Sequence, residues 1–105
     1  MTAVELAWTE SALGDLTALR GWIGRDVPPL ADRVTDRIFE TIERALSFPR
    51  IGRTVGEIAD ESVREFLFRT LRIVYRTEDG RIVVLAILHG GRATERREPR
   101  RWEVY

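Results

Sequence analysis

The sequence predicts an α+β domain in the order β-α-α-β-β-β, with an antiparallel helical hairpin packed on one face of a four-stranded sheet. Three observations carry that prediction. Two apolar stripes at helical spacing stand back to back between residues 10 and 47, parted only by a Pro-Pro break. Ile73 and Tyr75 alternate with Arg72, Val74 and Arg76, the period-2 pattern of a strand with two unlike faces. Ile82 to Leu88 is an unbroken apolar run, rich in β-branched residues and too short for an isolated helix, so it reads as a central strand.

Taken in order, Val4 to Trp8 is a short first strand with Val4, Leu6 and Trp8 on one face. Thr9 is placed to cap the next helix, its hydroxyl accepting an orphan backbone N–H. Ala12, Leu16, Leu19 and Ile23 form the apolar stripe of that helix, and Gly24 ends it. Pro28 and Pro29 open the second helix, where a missing N–H costs nothing. Leu30, Val34, Ile38, Ile42 and Leu46 fall at strict i+4 spacing along it, widened by Ala31 and Ala45, and Pro49 closes it. Phe48 to Asp60 is expected to be a loop, marked by Pro49, Gly52 and Gly56. Val63 to Phe68 is the next strand, and Glu78-Asp79-Gly80 supplies the turn between the last two. At the exit of the final strand the chain becomes polar at once, with His89, Gly90, Gly91 and Arg92. The expected organisation is one domain over residues 1–92 and a charged tail over 93–105.

Composition narrows the function classes. A chain of 105 residues without cysteine has neither disulfides nor thiolate metal sites, and no cofactor or metal is expected. No secretory leader or membrane-length apolar run is visible, so a cytoplasmic location without membrane association is expected. Every basic residue is Arg, which removes lysine as a general acid or base. Residues 1–47 hold five Arg against eight acids, and residues 48–105 hold twelve Arg against nine, so the sheet half is the basic one.

Several of these pieces together resemble the RelE/ParE superfamily of bacterial type II toxins. They are Trp8-Thr9 with Ala12 and Asp15-Leu16; Pro49 and Gly52-Arg53; Val63-Arg64-Glu65-Phe66; Leu71 to Arg76; and Ile82 through His89-Gly90-Gly91-Arg92. The Arg72-Ile73-Val74-Tyr75-Arg76 strand, followed by a short turn and an apolar strand ending at His89, is the most telling. The resemblance implies a toxin neutralised by a cognate antitoxin, forming a toxin–antitoxin hetero-oligomer. Two activities occur in such proteins: ParE-like members inhibit DNA gyrase, whereas RelE-like members cut mRNA on the ribosome.

Cleavage by a ribose 2′-OH needs a base, an acid and cations for the developing phosphorane charge. Under that alternative the resemblance places Arg72 and Arg64 on the phosphate, His89 where YoeB-like nucleases keep a catalytic histidine, and Glu57 as a base. Arg76 and Arg92 extend the set as binding residues. The sequence also departs from the nuclease pattern. It has no lysine, and Gly90 follows His89 where YoeB-like enzymes place an aromatic. His-Gly-x-Arg looks more like ParE-type members, so gyrase inhibition through protein contacts is the first expectation. A plainer reading pairs the sheet arginines with Glu65 and Glu78, and a degenerate member that only binds its antitoxin is a third reading. The antitoxin is expected to present an acidic, apolar segment that folds on an apolar groove beside the helical hairpin and on an Arg-bearing sheet face.

Overall fold

The computed structural model describes residues 5–68 and 70–89, so Arg92 and the charged tail lie outside the described residues. Strand β1 (Glu5–Trp8) leads into helices α1 (Glu10–Gly24) and α2 (Pro28–Ser47). Strands β2 (Arg53–Thr54), β3 (Val63–Phe68), β4 (Leu71–Glu78) and β5 (Arg81–His89) follow. They form one sheet in the order β1-β5-β4-β3-β2, with β1 parallel to β5 and every other pair antiparallel.

The sheet therefore has five strands rather than the four expected. The extra one lies inside the expected loop, where Arg53 and Thr54 pair with Glu65 and Arg64. Two residues are too few for any periodicity to reveal.

Strand β5 lies between β1 and β4 and is covered on both faces, which is why its apolar run does not alternate. On one face, Ala12 of α1 and Ile38 and Ile42 of α2 pack on Leu71, Ile73, Val84 and Ile87, and Ala45 packs on Tyr75 and Ile82. On the other, the segment after β2 folds back and sets Val55 and Ile58 against Val63, Val74, Val83, Leu85, Ala86 and Leu88. Each fully buried valine, leucine or isoleucine among them stabilises the fold by about 1.5–3 kcal/mol.

Both helices begin as the sequence predicts. Thr9 Oγ1 accepts the Ala12 N–H at 3.0 Å, and Pro28 and Pro29 occupy the first turn of α2. The buried line of α2 is Ala31, Thr35, Ile38, Ile42 and Ala45, whereas Leu30 is left partly in water. A strict i+4 series advances about 40° too far at each step, so its ends drift off the core-facing line. Arg20 joins the two helices, donating to Thr35 Oγ1 at 2.5 Å and to Asp32 at 2.8 Å.

The hairpin between β4 and β5 turns at Gly80, whose φ of 72° favours glycine. Along it the register slips once. Tyr75 faces Val84 and Val74 faces Ala86, so Leu85 is an extra residue and makes a β-bulge. Leu85 and Ala86 consequently both pack on the face away from the helices, and alternation resumes in the opposite sense with Ile87.

Candidate functional site

Arg72 projects from β4 on the face away from the helices, opposite Leu88 of β5 and Leu67 of β3. Its Nε and Nη2 reach Oε1 of Glu65 at 2.7 and 2.6 Å. Its Nη1 and Nη2 donate to the two carboxylate oxygens of Glu57 at 3.0 and 3.2 Å. The other oxygen of Glu65 takes Nε of Arg53 at 2.8 Å. Glu65 is only 2% exposed, and a carboxylate is tolerated there because two guanidinium groups share its charge. Burial disfavours the charged form of Arg72, yet its bonds to Glu57 and Glu65 outweigh that and raise its pKa.

Arg64 turns towards backbone. Its Nη1 donates to the carbonyls of Gly52 at 2.9 Å and Arg50 at 3.3 Å, and its Nε donates to that of Glu61 at 3.1 Å. Tyr75 serves the same segment. Its hydroxyl donates to the Pro49 carbonyl and accepts the Gly52 N–H, both at 2.9 Å. Burial pushes the phenol of Tyr75 above its ordinary value. Arg76 pairs with Asp60 at 3.3 Å. The hydroxyl and backbone N–H of Ser62, and then the charge of Arg76, hold the Asp60 carboxyl below its usual range.

His89 lies on the opposite face of the sheet. Because of the bulge at Leu85 it sits with Leu71 and Ile87 on the helix side, where its ring tilts against Trp22 of α1, with centroids 5.2 Å apart. Asp15, Leu19, Trp22, Leu71, Ile87 and His89 line a shallow cleft there. Asp15 accepts the Ile87 N–H at 2.9 Å and Thr9 donates to the Leu85 carbonyl at 3.1 Å, so α1 satisfies the edge of β5 beyond the end of β1.

Of the four residues the nuclease alternative requires, Glu57 and Arg72 meet, as an ion pair. Arg64 is committed to loop carbonyls and His89 faces the helices. Glu65 and Arg53 complete the cluster on the sheet face. Glu65 was legible only as a partner for the sheet arginines, and Arg53 only as part of the Gly52-Arg53 piece of the resemblance, since its strand is too short to read. Among the described residues no group of three or more His, Asp or Glu is placed to hold a metal, and no helix is long and apolar enough to cross a membrane. A second surface lies beside the hairpin, where Ile23, Leu30, Val34 and Phe68 line a groove bordered by Arg33, Asp36, Arg37 and Glu40, with Arg37 paired to Glu40 at 3.5 Å. This is the apolar groove expected from the sequence. The arginines of the other sheet face are instead tied to Glu57, Glu65 and Asp60.

Comparison with known proteins agrees with this architecture. A family profile described as the ParE toxin of the type II toxin–antitoxin system parDE matches residues 6–94. Toxin RelE2 of Caulobacter vibrioides is 30% identical over 89 residues, which cover 84% of this chain and 97% of that protein. Among solved structures, the chromosomal ParDE system of P. aeruginosa superimposes with a TM-score of 0.69 at 22% identity, covering 84% of this chain and 97% of the other. The toxin–antitoxin complex RelBE2 of Mycobacterium tuberculosis gives a TM-score of 0.56 at 21% identity, covering 83% and 98%.

Proposed function

Because the chain belongs to the ParE toxin family of type II toxin–antitoxin systems, we propose that it is a cytoplasmic ParE-like toxin that inhibits DNA gyrase through protein–protein contacts. The observation that carries this reading is the dispersal of the would-be nuclease residues. In-line cleavage needs its base, acid and phosphate-binding cation within hydrogen-bond reach of one reacting group. Here all three nitrogens of Arg72 are engaged by carboxylate oxygens, and His89 stands on the far side of the sheet. The cognate antitoxin neutralises the toxin by seating an apolar segment in the groove of Ile23, Leu30, Val34 and Phe68, with a carboxylate towards Arg33.

The runner-up, a ribosome-dependent mRNA interferase, draws on the likeness to Toxin RelE2 and on the contact of Glu57 with Arg72. In that reading a substrate phosphate displaces Glu57 and takes over its two-pronged grip on the guanidinium. One pair of assays separates the two. The gyrase reading expects the purified chain to block supercoiling and its induction to give filamentous cells with a DNA-damage response. Arrested protein synthesis with transcripts cut at codon boundaries, and supercoiling untouched, would refute it.

A further inference from the structure

We propose that the turn from Phe48 to Arg53 is a preformed contact site for the cognate antitoxin, receiving an extended segment whose apolar side chains are flanked by carboxylates. The turn joins α2 to β2 and does something unusual for a connection. Its backbone is bound tightly while its large apolar side chains stand in water, Phe48 at 65% and Ile51 at 49% exposure.

The bracing comes from several directions. Ile51 N–H donates to the Phe48 carbonyl at 2.9 Å. The hydroxyl of Tyr75, itself 1% exposed, joins the Pro49 carbonyl to the Gly52 N–H. Arg64 grips the carbonyls of Arg50 and Gly52 from the far side. Gly52 is pressed so close that a Cβ there would lie 2.6 Å from the Tyr75 hydroxyl oxygen and 2.9 Å from the Glu65 carbonyl oxygen. None of these anchors shields Phe48 or Ile51. They fix the shape of a surface that exposes an aromatic, an aliphatic and two arginines, Arg50 and Arg53. Rigid aromatic and arginine side chains already held in one conformation lose little entropy on association, and such residues dominate protein interfaces.

Position and charge select the partner. Arg50, exposed at the turn, calls for a carboxylate opposite, while Arg53 is already held by Glu65. The turn runs into β2, the outermost strand of the sheet on that side, where an extended segment can add along the edge. From the Leu30 groove to Phe48 is about 27 Å along α2 at 1.5 Å per residue, so one antitoxin chain of about eight extended residues spans both anchors. Single-stranded nucleic acid would stack on Phe48 but has nothing comparable to offer Ile51. The inference rests on the antitoxin partnership alone and is independent of whether the target is gyrase or the ribosome.

The test is titration calorimetry of the full chain against its cognate antitoxin. Phe48→Ala/Ile51→Ala should raise Kd by about tenfold or more, as loss of a buried interface anchor does, with the unfolding midpoint unchanged because both side chains are exposed. Arg50→Glu should weaken binding and reverse its salt dependence at that site. Tyr75→Phe, which cannot touch the partner, should also weaken binding, because it releases the turn that presents Phe48 and Ile51. A Kd within twofold of the parent for Phe48→Ala/Ile51→Ala overturns the proposal. So does loss of growth arrest with antitoxin affinity intact, which would give the turn to the toxin's target. Failure of the gyrase reading shows separately, as unimpaired supercoiling, and leaves the calorimetric result standing.

Discussion

Gly52 is the position where one methyl group should do most harm. Its Cβ would meet the Tyr75 hydroxyl and the Glu65 carbonyl below contact distance, and neither can retreat from the packed sheet. Gly52→Ala is expected to cost about 1–3 kcal/mol, as overpacking does, measured by urea unfolding. Tyr75 adds a pH signature. Its folded pKa lies above the ordinary phenol value of 10.0, so the folded state keeps a proton that the unfolded chain gives up first. Its contribution is fully present below about pH 10 and is lost as pH rises through the folded pKa. Replacing it with Phe should lower stability near neutrality and flatten the alkaline decline; an unchanged decline would show that another group causes it. Arg72→Ala leaves Glu65 buried with Arg53 as its remaining cation, and breaking a buried pair in this way costs about 3–5 kcal/mol. Toxicity and antitoxin binding should then fall together, whereas toxicity lost alone would point to phosphate chemistry. Tyr75 as a core residue was legible from strand alternation. The service of Arg64 was not, because backbone carbonyls accept hydrogen bonds from any sequence and leave no pattern to read.

Among the elements, α1 is tied to the sheet by its first two turns. Thr9 caps the helix and also donates to Leu85, while Asp15 accepts from Ile87. Thr9→Ala removes both of its bonds and is expected to cost about 1–2 kcal/mol, with amide exchange accelerating first at the exposed end of β5. Uniform acceleration across the sheet would instead mean that Thr9 acts only through global stability. The stripes, the Pro-Pro break and the capping threonine were all readable, since each is a local rule obeyed locally. Strand β2 and the bulge were not. The first is shorter than one period of alternation, and the second lies in an apolar run that shows no alternation to interrupt.

At the scale of the whole molecule, a sheet covered by helices on one side and by a single chain segment on the other leaves several large apolar side chains in water, Trp22, Phe48 and Ile51 among them. A partner that covers them should stabilise the fold by mass action. Antitoxin at one hundred times its Kd adds about 2.7 kcal/mol, or a rise of roughly 10 °C or more in the unfolding midpoint of a domain this size. A midpoint independent of antitoxin concentration would argue against binding to the folded state. The bulge at Leu85 decides what such a molecule can become. Side chains along a strand keep a parity, and one supernumerary residue inverts it for everything downstream. Deleting Leu85 from a chain that still folds would restore strict alternation and leave His89 beside Leu71, whereas drawing Leu85 into the ladder as a paired residue would carry His89 across the sheet to the face of Arg72 and Glu57. Within this scaffold, a histidine thus joins or leaves the face of an arginine–carboxylate pair by a shift of one residue in strand pairing, with no side chain substituted.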